Sequence, residues 1–343
     1  MDISILTLHE ANNVGAFLQA FSLQTVLQSM YGKDKVHFVK FSHKTERANK
    51  MQKVVNLLKQ KQFGMMLFKY RTAKKYSSIK GMLQIKERPF SINNQHDTVI
   101  IGSDVVWGVK GSTFIHHPQY FGKQIKANKI MSYAASAGDS DSESIIASGM
   151  DFESFDAISV RDNNTFEIVK EISGNTPEIV CDPTILIESY EQYVHTVPQK
   201  DYILVYSYGL TKEQIKEVRK YAKKNKKKLF SVGTYNSWCD KNLVVDPIEF
   251  LSWLNSADAV ITSTFHGTVL SVRFHKNVAV FATDSHKINY FLEQYELEER
   301  KLGEDVTLEG VLATEIDYFK IEQKIKEQRN ISMKYIRENL EDK

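Results

Sequence analysis

The segment 263–268, Ser-Thr-Phe-His-Gly-Thr, places small residues and a histidine between a strand pattern and a helical pattern. A loop that enters a helix directs backbone N–H groups at the space above it, which suits a phosphate or carboxylate. His266 adds a side chain that can donate, accept or carry a proton near neutral pH. A helix capped by Ser263 and Thr264, with His266 packed in the loop, would show the same pattern. The spacing alone leaves both interpretations open.

Asp104 and Trp107 lie in a second loop, after the apolar strand pattern 98–101. A carboxylate in such a loop can act as a general base for a hydroxyl group. The indole of Trp107 can stack on the face of a sugar. An aspartate that caps a helix and a tryptophan that fills the core are the structural alternatives. The motif by itself does not choose between them.

Arg161 leaves the carboxyl end of the strand pattern 157–160. Its planar guanidinium binds two oxygens at once, so it suits a phosphate or carboxylate ligand. The alternative is an ion pair with Asp162 or Asp182. These residues predict an anion site without excluding a structural one.

Several common sites lack support in the sequence. Asn13 and Gly15 occupy the first strand–helix turn, but no GxGxxG dinucleotide motif and no GxxxxGK[ST] phosphate loop occurs. The two cysteines, Cys181 and Cys239, exclude a disulfide-rich scaffold and a cysteine-rich metal site. No His, Cys and Asp cluster has metal-ligand spacing, so no metal and no cofactor is expected.

The elements that must position these residues form two similar sets. Strand and helix patterns alternate from Ile3 to Val180, and again from Tyr202 to Phe281, which indicates an α/β chain with two parallel sheets. The polar stretch 188–201 predicts a linker. We therefore expect Rossmann-like domains at 1–190 and 201–317, followed by an amphipathic helix within 318–343. Ligands of parallel sheets bind beyond the carboxyl ends of the strands, here in a cleft between the domains.

Composition limits the partners and the location. The chain has 343 residues, 42% of them hydrophobic, and a net charge of +3, too small to indicate nucleic acid. Neither a signal-peptide pattern nor a membrane-spanning run is found, so a cytoplasmic protein is expected. The segment of about 44–88, predicted to be a basic helical insertion, carries 13 Lys and Arg against two acids. A helix pair with a solvated basic face is favoured, and a peripheral membrane contact is the alternative.

Six segments resemble, in wording and order, motifs of the polysaccharide pyruvyl transferase family. They are N-V-G-A-F-L-Q-A-F-S-L-Q at 13–24, G-S-D-V-V-W at 102–107, S-Y-A-A-S-A-G at 132–138, I-S-V-R-D at 158–162, D-P-T at 182–184 and A-D-A-V-I-T-S-T-F-H-G-T at 257–268. Two positions depart from the family. Thr264 and Phe265 stand where characterised members often carry Arg and Leu before the histidine, and Gly108 stands where Asn is common.

The resemblance implies a fold like the two-domain GT-B arrangement, with the last helix crossing back to the first domain. It also implies transfer of a pyruvyl group from phosphoenolpyruvate, a co-substrate, to two hydroxyls of a glycan or lipid-linked saccharide. Within that reaction His266 is the expected acid and Asp104 the expected base. The expected donor-binding residues are Arg161, Ser263, Thr264, Gly267 and Thr268. The expected substrate-binding residues are Asn13, Gly15 and Trp107.

Two other functions fit the same fold. A glycosyltransferase would use a nucleotide sugar and would bind a nucleoside diphosphate rather than phosphoenolpyruvate. A non-catalytic glycan-binding protein is favoured by Thr264 in place of the family arginine. Asp104, Arg161 and His266 argue against it, because a binding protein has no need of all three.

Overall fold

The computed structural model describes residues 1–9, 12–40, 62–89, 95–110, 117–281, 285–303 and 306–341. Within these residues strands and helices alternate along the chain, as the hydrophobic pattern predicts. Parallel strands need crossover connections, so the alternation builds parallel sheets covered by helices.

The first sheet has the parallel strand order β3-β2-β1-β4-β5. Its strands are β1 Ile3–Leu6, β2 Val36–Lys40, β3 Ile85–Pro89, β4 Gln95–Ile101 and β5 Lys126–Ser132. Two short parallel strands, β6 Ser159–Val160 and β7 Glu178–Ile179, continue it beyond β5. Every residue of β1 is buried, as expected for a central strand with both faces covered.

The second sheet has the order β10-β9-β8-β11-β12. Its strands are β8 Tyr202–Tyr206, β9 Lys228–Ser231, β10 Lys241–Asn242, β11 Ala259–Thr262 and β12 Asn277–Val280. In both sheets the first strand lies in the middle and the strand order reverses beside it. Ligands bind at such reversal points, beyond the carboxyl ends of the strands.

Eleven helices cover the sheets in the part of the chain that the structure describes. They are α1 Val14–Tyr31, α2 Phe63–Ile79, α3 Ser142–Ala147, α4 Asn163–Ser173, α5 Pro183–Leu186, α6 Lys212–Lys224, α7 Pro247–Ser256, α8 Phe265–Arg273, α9 His286–Gln294, α10 Leu308–Ala313 and α11 Tyr318–Leu340. None of the described helices is long and apolar enough to cross a membrane.

Helix α1 lies between the two sheets. It is buried along most of its length, because it packs against its own sheet and also against α5, α7 and α8. Its apolar side chains belong to one hydrophobic core that includes residues of both sheets. Its N-terminus, with Asn13 and Gly15, is thereby held at the boundary between them.

The C-terminal helix α11 crosses back to the first sheet, as predicted. Near its start, the Tyr318 hydroxyl donates to the carbonyl oxygen of Lys276. Near its end, the Tyr335 hydroxyl donates to the carbonyl oxygen of Ser132 at the end of β5. The predicted GT-B-like pair of Rossmann-like sheets is confirmed, and the domain boundaries 1–190, 201–317 and 318–343 stay predictions.

The basic insertion is only partly helical. Residues 44–61 lie outside the described residues, and α2 occupies most of the rest of the insertion. The prediction of a helical segment up to 88 is wrong at its end, because Ile85–Pro89 forms β3 at the edge of the first sheet. A short strand paired on one side shows little alternation of apolar residues, so the sequence does not reveal it.

Candidate functional site

The carboxyl ends of the two sheets meet, and three predicted site residues meet with them. Asp104 follows β4, Arg161 follows β6, and His266 lies in the first turn of α8. Nη2 of Arg161 donates to Oδ1 of Asp104 at 3.3 Å. The guanidinium carbon of Arg161 lies 4.5 Å from the ring centre of Phe265, in the second half of the chain. Residues from both sheets therefore form one cluster.

Asp182, the residue after Cys181 that caps α5, joins Arg161 to His266. Nη1 of Arg161 donates to Oδ2 of Asp182 at 2.7 Å, and Nε2 of His266 lies 3.6 Å from the same oxygen. Burial alone would raise the pKa of Asp182, but the charges of His266 and Arg161 hold it well below its usual range. The sequence left open whether Arg161 pairs with this aspartate, and it does.

Two buried nitrogen atoms of the cluster have no hydrogen-bond partner within the described residues. They are Nε of Arg161 and Nε2 of His266, the second of which lies 3.6 Å from Oδ2 of Asp182, beyond hydrogen-bond distance. Buried polar atoms are nearly always paired, so each unpaired atom needs an explanation, such as a ligand that is absent. Two such atoms in adjacent side chains indicate a place for a polar ligand.

Asp104 adds a carboxylate to the cluster through its bond to Arg161. Its backbone has a φ of +77°, a strained conformation for a residue with a side chain, and such strain is often found at functional sites. Oδ1 accepts from Arg161 and from the Val105 N–H, whereas no described residue donates to Oδ2. Burial would raise the pKa of Asp104, but Arg161, His266 and Lys287 lower it overall. The carboxylate is therefore ionised and can accept a proton or a hydrogen bond at Oδ2.

The loop 263–268 holds the start of α8 through its own polar groups. The Thr264 hydroxyl accepts a hydrogen bond from the Gly267 N–H at 3.0 Å. The Ser263 hydroxyl accepts hydrogen bonds from the Ser207 hydroxyl and from the Tyr208 N–H. Thr268 is buried and donates to the carbonyl oxygen of Thr264. These side chains shape the loop, and the Thr264 hydroxyl caps only one of the free N–H groups at the start of the helix.

Gly15 lies directly against the ring of His266. A Cβ atom at Gly15 would stand 2.2 Å from Nδ1 and 2.4 Å from Cγ of the histidine. Contacts of this length do not occur, so the absence of a side chain at Gly15 makes room for the ring. The first turn of α1 and the first turn of α8 thus fix the position of His266 together.

Two predicted substrate-binding residues have structural roles. Asn13 caps α1, since its Oδ1 accepts from the Ala16 N–H at 3.0 Å. Trp107 is fully buried, donates from Nε1 to the carbonyl oxygen of Tyr120 and packs on Phe152. The prediction that Trp107 stacks on a sugar is wrong, because its indole has no accessible face.

Lys287 belongs to the cluster, although no motif in the sequence points to it. It lies in the first turn of α9, which packs against α4 and α8. Burial and Arg161 lower the pKa of Lys287, whereas Asp104, Asp139 and Asp162 act in the opposite direction. It forms no ion pair with a carboxylate of the described residues. Lys287 follows β12, so it lies beyond the carboxyl end of a parallel strand, as Asp104 and Arg161 do.

His9, in the loop after β1, is a second buried histidine with an unpaired nitrogen. Nδ1 donates to the Thr7 carbonyl oxygen at 3.0 Å, and Nε2 has no partner within the described residues. Burial and, to a smaller extent, the charge of Lys80 lower the pKa of His9 from 6.5 to about 4, against the effect of the hydrogen bond to Thr7. The ring is therefore neutral at neutral pH and presents an acceptor at Nε2.

This pKa predicts a loss of stability in mild acid. The unfolded chain protonates His9 below about pH 6.5 and the folded protein only below about pH 4, so the free energy of unfolding falls as the pH falls between these values. The contribution totals roughly 3 kcal/mol. Urea denaturation of His9→Gln should therefore show a weaker pH dependence over this range than the wild type. His286→Gln, at an exposed histidine, should keep the wild-type dependence, and equal curves for all three proteins would contradict the assignment.

The sequence profile of the family described as Polysaccharide pyruvyl transferase matches residues 13–285. This range covers most of the chain and contains the predicted site residues from Asn13 to Thr268. No curated protein sequence matches the chain at a significant level.

Several solved structures are similar to this chain at low identity. The UDP-GlcNAc 2-epimerase from Neisseria meningitidis, bound to UDP-GlcNAc, is 9% identical, with a TM-score of 0.46, over 97% of this chain and 94% of that one. The UDP-GlcNAc 2-epimerase from Methanocaldococcus jannaschii is 12% identical, with a TM-score of 0.46, over 96% and 94%. Phytolacca americana UGT2, complexed with UDP-2fluoro-glucose and pterostilbene, is 10% identical, with a TM-score of 0.42, over 100% and 96%.

Proposed function

Since the chain belongs to the polysaccharide pyruvyl transferase family, we propose that it transfers the pyruvyl group of phosphoenolpyruvate to two hydroxyls of one sugar. The product is a cyclic ketal, and inorganic phosphate is released. We assign the reaction to this cluster because the buried nitrogens of Arg161 and His266 have no hydrogen-bond partner and lie in one cluster with the ionised Asp104. Together they offer donors for an anionic ligand and an acceptor for a hydroxyl proton.

The reaction needs one proton donor and one proton acceptor in the same cleft. We assign His266 to protonate C3 of the donor, which makes C2 electrophilic, while the Asp182 carboxylate at 3.6 Å offsets the charge of the protonated ring. Oδ2 of Asp104 is assigned to take the proton of the attacking hydroxyl. The second hydroxyl then adds at C2 as the C–O bond to phosphate breaks. The two hydroxyls release two protons in all. One of them replaces the proton that His266 gave to C3, and the other leaves with phosphate.

The donor anion needs positive charge that is not already neutralised. Both terminal nitrogens of Arg161 are engaged by Asp182 and Asp104, which leaves Nε for a ligand. Thr264 stands where characterised family members often carry an arginine. We propose that Lys287, which has no ion pair within the described residues, supplies this charge together with the N–H groups at the start of α8. Ser263, Thr264, Gly267 and Thr268 then shape the pocket.

The acceptor and the location are further parts of the proposal. We place a glycan or lipid-linked saccharide of a cell-envelope polysaccharide in the cleft, where Gly15 and the amide nitrogen of Asn13 can border it. The protein is proposed to act in the cytoplasm, where phosphoenolpyruvate is made, with a peripheral membrane contact. Nucleic acid is not expected as a partner.

Calorimetric titration of phosphoenolpyruvate tests the donor site directly. The wild type should bind saturably, and His266→Ala and Lys287→Ala should each raise the Kd by roughly tenfold or more, as expected for lost bonds to a charged group. Lys220→Ala, at an exposed lysine of α6, should bind like the wild type. Saturable binding of a nucleoside diphosphate without binding of phosphoenolpyruvate would instead favour a nucleotide-sugar donor.

A further inference from the structure

Helix α2 has one face that is anchored in the protein. Phe68 and Tyr76 are buried, and the Phe68 ring lies 6.1 Å from the ring of Tyr235. Nζ of Lys75 forms an ion pair with Glu249 at the start of α7. The helix is therefore held against the second sheet's domain, although it belongs to the first, and lies across the boundary between them.

The opposite face of α2 is apolar and exposed. Phe63, Leu67 and Tyr70 follow one another at helical spacing and are 63%, 49% and 71% exposed. At about 100° per residue these three side chains lie within roughly 60° of arc, on the side opposite Phe68 and Tyr76. Single exposed apolar residues are ordinary, but three of the eight large ones in the described part of the chain share this face.

Positive charge borders this apolar face. Lys69, Arg71 and Lys74 are exposed, and none forms an ion pair with a carboxylate of the described residues. At about 100° per residue Lys74 continues the line of the three apolar side chains and Arg71 lies beside it, whereas Lys69 lies further round the helix, close to the direction of the buried Tyr76. Residues 62–85 contain no Asp or Glu, so nothing in this segment offsets the charge. Long basic side chains can bury their stems and keep their charges at a polar boundary.

We propose that this face of α2 docks the protein on a bilayer that contains anionic lipids. An apolar stripe of Phe, Leu and Tyr, bordered by Lys and Arg and without acidic residues, is the composition of helices that lie in the headgroup region. Each Lys or Arg near such a surface strengthens the attraction further. An acidic protein would satisfy the charges but gives no reason for three exposed apolar side chains between them.

Docking by this face deepens the proposed function. The binding to a bilayer does not depend on that function, and only its consequence for the acceptor rests on it. The ring of Phe68, on the buried face of α2, lies 6.1 Å from the ring of Tyr235, which is beyond the carboxyl end of β9. The docked helix would thus hold the mouth of the cleft beside the membrane. A saccharide carried on a lipid could then reach the cleft without leaving the bilayer.

Co-sedimentation with vesicles tests the docking independently of catalysis. The wild type should bind vesicles of equal parts phosphatidylcholine and phosphatidylglycerol and should bind pure phosphatidylcholine far more weakly. The charge variant Lys69→Gln/Arg71→Gln/Lys74→Gln should bind the anionic vesicles about a hundredfold more weakly. The apolar variant Phe63→Ser/Leu67→Ser/Tyr70→Ser should also lose binding, because its insertion into the interface is lost.

Matched control variants test whether vesicle binding depends on this face or on exposed basic and aromatic side chains anywhere on the protein. Lys216→Gln/Lys220→Gln/Lys223→Gln removes three exposed lysines of α6, and Phe319→Ser removes an aromatic side chain that is 76% exposed. Both should bind vesicles like the wild type. Equal binding by all variants, or no binding by the wild type, would overturn the proposal. All proteins should keep their melting temperature and their affinity for phosphoenolpyruvate, so failure of the docking and failure of the transferase assignment are distinguishable.

Discussion

Arg161→Ala is expected to lower the free energy of unfolding by about 3–5 kcal/mol, because it leaves a buried carboxylate without its counter-charge. The side chain of Asp182 is 1% exposed and accepts from Nη1 of Arg161 at 2.7 Å. Interactions with His266 and Arg161 hold its pKa well below the usual range, against the effect of burial. Urea denaturation at neutral pH measures the loss, and calorimetry should show no binding of phosphoenolpyruvate.

A second substitution separates the structural role of Arg161 from its role toward the ligand. Arg161→Ala/Asp182→Asn removes the buried negative charge as well and should recover part of the lost stability. It should not recover binding of phosphoenolpyruvate, because the Nε donor is still absent. Arg219→Ala, at an exposed arginine of α6, is the control and should change neither property. Full donor affinity in the double variant would show that Arg161 serves only to neutralise the aspartates.

The strand ends are the part of the site that the sequence predicts best. Arg161 and Asp104 each follow a buried apolar strand, and parallel strands of one sheet bring their carboxyl ends to the same edge. Their meeting therefore follows from the alternation of strand and helix alone. That His266 joins them from the second sheet follows from the two sets of elements facing one cleft.

Residues whose role depends on burial could not be predicted in the same way. Trp107 follows a strand like Asp104, but its indole turns into the core and donates to the Tyr120 carbonyl oxygen. A local pattern does not show which way a side chain points, so the sugar-stacking and core-filling alternatives looked the same. The partial burial of Lys287 and the unpaired nitrogen of His266 likewise arise only when the two sheets pack together.

Thr264 illustrates the physical meaning of a departure from a family motif. Its hydroxyl caps α8 by accepting from the Gly267 N–H, a role that a longer arginine side chain would not fill in the same way. The substitution therefore exchanges a charge for a helix cap at the same position. The proposed function then needs a cation elsewhere in the cleft for the donor, and we assign that role to Lys287.

Gly15→Ala is expected to weaken phosphoenolpyruvate binding about as much as His266→Ala does, without touching a ligand-binding side chain. A Cβ at this position would stand 2.2 Å from Nδ1 of His266, so the ring must leave its place beside Asp182. Alanine otherwise favours the helix over glycine by roughly 0.5–1 kcal/mol, so α1 itself should tolerate the change. Overpacking of this kind typically costs about 1–3 kcal/mol. Calorimetry and thermal unfolding measure the two effects.

A double-mutant cycle isolates the steric contact. In a His266→Gly background the ring is gone, and so is the Cβ atom that would stand 2.8 Å from the new methyl group, so adding Gly15→Ala should cause no further loss of donor affinity and should no longer destabilise the protein. Gly303→Ala, where a new Cβ would have no heavy atom within 4 Å, is the matched control and should leave donor affinity unchanged. If the losses from Gly15→Ala and His266→Gly simply add, the glycine acts in some other way. If they do not add, the first turn of α1 positions the histidine, and a residue of the first domain sets the geometry of a proton donor in the second.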